Sequence, residues 1–250
     1  ASSCPKKRRT HHYGEIKGTC MDFSGWEKLS LVDFDHRLTT TLFVAGCPFR
    51  CPFCHNGELV LHPAIAPKIP WSQILDYLKK RQGVLEAVCI SGGEPTLLPD
   101  LEDKLRQIKA LGYVIKLDSN GWKPNLLEKL IQEKLVDYVA MDIKNSPANY
   151  PKTAGTSIDL LSIDRSIKLL QNSGIGYEFR TTIMEEFHDE EAIKAIGQWI
   201  HGAKRYYLQK YEDRAGCLEH GFHPISKEKA EKFASLLRDD VEEVSLRGYE

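Results

Sequence analysis

"TTTLFVAGCPFRCPFCHNGELV", residues 39–60, joins a β-branched, apolar run ending in glycine to a loop that packs three cysteines into eight positions. A run of that kind bounded by glycine reads as a buried strand, which delivers Cys47, Cys51 and Cys54 to its C-terminal end. Outward from this stretch the chain repeats one theme. "WSQILDYLKKR" (71–81) places Ile74, Leu75 and Leu78 on one helical face after Pro70, and "EAVCISGGEP" (86–95) is a second buried strand, stopped by a Gly-Gly turn. A helix over 101–111, the strand "YVIKLDSNG" (113–121), a helix over 125–134 and the strand "VDYVAMDIK" (136–144) follow. Then come a helix within 158–174, the strand "GYEFRTTIM" (176–184), a helix over 190–200, the strand "KRYYLQKY" (204–211), a helix over 227–237 and the short apolar "VEEVSLRG" (241–248).

Strands separated by helices of this length indicate a parallel sheet whose crossovers all curl the same way. About six βα units are too few to close an eight-unit barrel, so the expected fold is α/β, an incomplete (partial) TIM barrel. Its functional rim should lie where the strands end. The cysteine loop, "SGGEP", "DSNG", "DIK" and "LQKYED" all follow or close successive strands, so this topology brings distant stretches of sequence to one mouth.

Bulk properties exclude several classes. The 250 residues are 42% hydrophobic and 28% charged with a net charge of −1, which gives no electrostatic case for a nucleic acid or an anionic membrane as partner. No apolar run reaches the roughly 18 residues of a membrane span, and the N-terminus lacks a signal-peptide core, so a cytoplasmic protein is expected. Seven cysteines is an odd number, three of them clustered and Cys4, Cys20, Cys89 and Cys217 scattered. That distribution belongs to a metal site in a reducing compartment rather than to a disulfide framework. Residues 1–17, with Lys6, Lys7, Arg8 and Arg9, read as a flexible basic arm, and 18–250 as a single partial-barrel domain.

Two metal chemistries compete for the cysteine loop. Zinc prefers four Cys or His ligands, and His55 follows Cys54, but adjacent side chains do not easily wrap one ion and a second short ligand pair is missing. A cubane [4Fe-4S] cluster normally takes four thiolates. Held by three, it leaves one iron open, as catalytic rather than structural metal sites do.

The CxxxCxxC spacing of Cys47, Cys51 and Cys54, with Phe53 before the last cysteine and "SGGEP" closing the next strand, resembles the signature of the radical S-adenosylmethionine (SAM) enzymes. The resemblance implies a [4Fe-4S] cluster on the three thiolates and SAM on the fourth iron. It implies Phe53 packed near the cofactor, with Gly92, Gly93 and Glu94 receiving the methionyl ammonium. "LDSNG" and "MDIK" look like the Asp-Thr-Asn-Gly and Asp-x-Lys segments of glycyl-radical-enzyme activases, with Ser119 in place of threonine. By that likeness Asp118 and Asp142 help to hold a monovalent cation, Lys144 lies by the site and Arg180 contacts SAM. At the sixth strand the activases carry a histidine, whereas this chain offers Tyr211 to flank adenosine.

The longer stretch "KLSLVDFDHRLTTTLFVAGCPFRCPFCHNGELV", "MDIKN" followed by "TAG", and the ending "LRGYE" resemble the longer form of anaerobic ribonucleoside-triphosphate reductase activating proteins, from Gly18 onward. The implied activity is reductive cleavage of SAM by one electron from flavodoxin or ferredoxin. The resulting 5′-deoxyadenosyl radical would remove a glycine Cα hydrogen from a partner glycyl radical enzyme, anaerobic ribonucleotide reductase first among them. Activation of a pyruvate formate-lyase type enzyme, a radical SAM reaction on a small molecule or peptide, and an iron–sulfur or zinc binding module are the alternatives.

Cys89, inside an apolar strand, reads as a small buried hydrophobe. Cys217, after the sixth strand, reads as passive, with hydrogen-atom donation or metal binding as its alternative. No HxxxH or HExxH pair, G-x-S-x-G elbow or P-loop is present. The "SLRGYE" ending also superficially matches a glycyl-radical sequence, but reads as a terminal strand and cap.

Overall fold

The structure, a computed structural model, describes residues 23–250. The basic arm, Cys4 and Cys20 therefore lie outside the described residues. Strand β1 (Phe23–Ser30) is followed by β2 (Thr39–Val44), the short helix α1 (Gly57–Leu61), α2 (Trp71–Lys80), β3 (Ala87–Gly92), α3 (Leu101–Ala110) and β4 (Val114–Ser119). Next come α4 (Pro124–Gln132), β5 (Tyr138–Asp142), α5 (Tyr150–Ala154), α6 (Leu160–Asn172), β6 (Gly176–Ile183), α7 (Glu190–Trp199), β7 (Ala203–Lys210), α8 (Lys227–Leu236) and β8 (Val241–Arg247).

All eight strands form one sheet in sequence order. From β2 to β8 every neighbouring pair is parallel. β1 and β8 are at opposite edges and the sheet does not close, so the six βα units β2 to α8 form the expected partial TIM barrel. The expected terminal strand is present: "VEEVSLR" is a full parallel strand on β7. One feature was not anticipated, the antiparallel pairing of β1 with β2 through a register with irregularities.

Local chemistry explains the helices. Asp159, Asp189 and Ser226 each cap a helix by accepting a hydrogen bond from a first-turn amide, of Leu161, Ala192 and Lys229 respectively. Pro124 opens α4, where its missing N–H costs nothing. Leu101, Leu105 and Ile108 recur at helical spacing and are fully or almost fully buried on the sheet.

Alternation along the strands decides what the barrel encloses. Val88, Ile90, Ile115, Leu117, Val139 and Met141 are completely buried in the core. The intervening residues reach one another across the concave face: Arg180 on β6 lies 3.5 Å from Asp118 on β4, and Lys116 lies 4.0 Å from Glu178. β5 stands between those strands, so such contacts require a curved sheet with polar residues inside. At one edge Arg247 of β8 reaches both Glu178 (3.3 Å) and Asp35 (3.5 Å) of the β1–β2 turn.

Candidate functional site

A cavity of ≈ 190 Å³ opens at the C-terminal ends of the strands. Its wall takes Cys47, Cys51, Phe53 and Cys54 from the loop after β2, and Gly92 and Gly93 from the end of β3. Asp118 and Ser119 come from β4, Asp142 from the end of β5, Lys144 from just beyond it, and Arg180 from β6. Parallel strands alone account for this convergence, since each one delivers its last residues to the same rim.

Backbone bonds to distant segments hold the cysteine loop. The Glu94 amide donates to Gly46 O (2.8 Å), the Arg50 amide to Ala154 O (2.8 Å) and the Gly57 amide to Gly216 O (3.0 Å). His55 Nε2 meets Glu212 O at 2.8 Å, and Asn56 Nδ2 donates to Gly92 O at 2.7 Å. Close approach explains the glycines: a Cβ on Gly93 would sit 2.0 Å from Gly46 O, and one on Gly155 2.0 Å from Arg50 O.

Burial pushes the Cys51 thiol up to about 11, against a lowering from the Lys144 ammonium. Burial likewise raises Cys47, with Glu94 adding to it, and Cys54. Such thiols stay protonated at neutral pH until a bound metal displaces the proton. Among the described residues no three His, Cys, Asp or Glu side chains are grouped to hold a single metal ion.

The charged side chains form a network. Arg180 Nε donates to Asp142 Oδ1 (2.9 Å) and Lys144 Nζ to Asp142 Oδ2 (2.9 Å). Burial opposes the Asp142 charge, but Arg180 and Lys144 outweigh it and hold the carboxyl at about 2. The same aspartate, joined by Cys51, raises the Lys144 ammonium against burial. Asp118 Oδ2 accepts from Ser91 Oγ (2.9 Å), whereas buried Asp118 Oδ1 has, among the described residues, no hydrogen bond, with Lys116 Nζ at 3.6 Å.

Two residues singled out in the sequence stand apart from the cavity wall. Glu94 is fully buried, and four donors saturate its carboxylate: the Thr96 amide (3.1 Å) and hydroxyl (2.6 Å), Ser119 Oγ (3.0 Å) and the Asn120 amide (2.8 Å). Burial raises its pKa and those hydrogen bonds oppose the rise. Tyr211 lies buried behind the loop, its ring stacked 6.2 Å from that of His55 and its hydroxyl 3.8 Å from Cys217 Sγ. Cys217 is buried there too, and Cys89 is fully buried in β3. Asn56, Asn120 and Thr182 also line the cavity and were not singled out beforehand, and His55, weighed in the sequence only as a zinc ligand, lines it too. Asn56 and Asn120 were within reach, because each stands inside a quoted motif.

Comparison with known proteins places this geometry. The profile of the Radical SAM superfamily matches residues 41–197. A candidate glycyl-radical enzyme activating enzyme of Methanocaldococcus jannaschii is 32% identical over 197 residues, covering 76% of this chain and 80% of that protein. The pyruvate formate-lyase-activating enzyme of Clostridium pasteurianum is 27% identical over 180 residues, covering 70% and 74%. Among solved structures, Streptococcus suis SuiB bound to S-adenosylmethionine superposes with a TM-score of 0.65 at 15% identity, covering 81% of this chain and 48% of that one.

Proposed function

The chain belongs to the radical SAM superfamily, and from that premise we propose that it reductively cleaves SAM and installs a glycyl radical on a partner enzyme. The carrying observation is the cavity in which three loop thiols face Asp118, Asp142, Lys144 and Arg180. The donor set suits a [4Fe-4S] cluster: Cys47, Cys51 and Cys54 belong to one loop and line one cavity, whose wall takes no fourth cysteine from the described residues. A bound cluster would supply the single electron that breaks the sulfonium C–S bond of SAM, itself drawn from flavodoxin or ferredoxin.

The chain's own groups bind and orient. Lys144 and Arg180 are the cations available to the SAM carboxylate, and Phe53 gives the wall an apolar, water-excluding surface. Gly92 and Gly93 leave main chain accessible to the methionyl ammonium, with Glu94 bracing the turn from behind. Asp118 and Asp142 are the ligands for a monovalent cation, a role that fits Asp118 Oδ1, which accepts no hydrogen bond among the described residues. Tyr211 supports the adenosine side through His55 and the loop.

The partner we propose is an anaerobic ribonucleotide reductase, on the strength of the resemblance in residues 28–60 and at the C-terminus. A pyruvate formate-lyase type enzyme is the second reading, favoured by the Clostridium pasteurianum relative. Anaerobic reconstitution, reduction with SAM and assay for 5′-deoxyadenosine test the chemistry. Cys51→Ala should abolish the product, and a fully active variant would refute the ligand assignment. Electron paramagnetic resonance of each candidate partner then separates the readings, since only the true partner acquires a glycyl doublet.

A further inference from the structure

Asn120 stands in the middle of the "DSNG" turn and is 4% exposed. Its amide donates to Glu94 Oε2 at 2.8 Å, so the saturated glutamate fixes its backbone. Its side-chain Oδ1 accepts from the Trp122 amide at 3.1 Å. A backbone N–H can only donate, so that contact settles which end of the carboxamide is oxygen. The other end is therefore the NH₂ group, and Nδ2 points at Cys47 Sγ from 3.7 Å. The Phe49 amide is the second donor to that sulfur, at 3.4 Å.

Hydrogen bonds to ligating sulfurs are among the terms that set the potential of an iron–sulfur cluster. A donor draws density from the thiolate and stabilises the reduced, more negative state, so it raises the potential. We propose that Asn120 tunes the reduction potential of the cluster by donating from Nδ2 to the Cys47 sulfur, with Glu94 as the residue that positions it. The inference rests on the cluster reading above. It gives the glutamate of "SGGEP" a task that its four hydrogen bonds permit, which is to lock the end of β4 against the cysteine loop.

Redox titration of the reconstituted protein without SAM, monitored by electron paramagnetic resonance, tests the assignment. Wild type, Asn120→Ala and Asn120→Asp should carry equal iron and sulfide. At the wild-type midpoint the reduced-to-oxidised ratio of Asn120→Ala should fall about tenfold, a downward shift of about 59 mV for one electron. Asn120→Asp keeps an oxygen for the Trp122 amide but turns a second carboxylate oxygen toward the sulfur, and should move at least as far the same way. Potentials equal to wild type in both variants would overturn the proposal, as would loss of the cluster from both, because a tuning donor shifts a potential and is not needed to hold the metal. Wild-type protein that takes up no cluster would instead sink the functional reading beneath it.

Discussion

At the scale of single residues, Glu94 and Asp142 show two ways a buried carboxylate finds partners. Glu94 relies on four donors and, among the described residues, no direct ion pair. Glu94→Gln keeps the shape but sets an NH₂ against N–H groups that can only donate. The expected loss is about 1–3 kcal/mol in denaturant unfolding, together with weaker iron retention; an unchanged midpoint would show the network to be dispensable. Asp142 relies on cations, and its folded pKa of about 2 lies below the ordinary value of 3.8. A depressed carboxylate contributes stability above its unfolded pKa and loses it as pH falls toward the folded one. The stability gap between wild type and Asp142→Asn should accordingly be widest above about pH 5 and shrink between pH 4 and pH 2; a gap constant with pH would contradict the pairing with Arg180 and Lys144. The residue types around the cavity were legible in the sequence because the motifs end successive strands. The aim of Glu94 was not, since spacing says nothing of which way a side chain turns at the close of a strand.

At the scale of elements, the six βα units followed from hydrophobic runs punctuated by glycine, proline and capping residues. β1 did not, because "FSGWEKLS" has no sustained apolar alternation and becomes a strand only by pairing with β2. The two short helices escaped notice for a related reason: five residues give too little periodicity to register. One of them matters to the site. α5 ends at Gly155, whose φ of +66° and contact with Arg50 O leave no room for a side chain. Gly155→Ala should therefore fold yet push the cysteine loop outward, lowering iron content per chain and speeding tryptic cleavage after the exposed Arg50. Wild-type iron content and protease resistance would show that the α5 contact does not shape the loop.

At the scale of the molecule, the sheet is open, and its edges are joined by side chains instead of strand pairing. Arg247 makes such a link to Asp35 of the β1–β2 turn, while stacking 4.0 Å over Tyr207 and pairing with Glu178 hold its own side chain in place. Arg247→Ala should destabilise the protein by about 1.5–3 kcal/mol, the range for hydrogen bonds to a charged group, measured by urea unfolding; a change under a few tenths would mean the link is ornamental. The openness itself was legible from the count of units, whereas this link joins residues far apart in the chain that no local pattern connects. The anchoring of the cysteine loop has a further consequence, for the history of a single molecule. Its ties to Glu94, Ala154 and Gly216 are main-chain bonds that use no metal, so loading the cluster need not fold the loop, unlike in small metal domains whose binding energy is their folding energy. A loop held in this way would keep its mould without the cluster, and refilling it would be a repair, not a second birth.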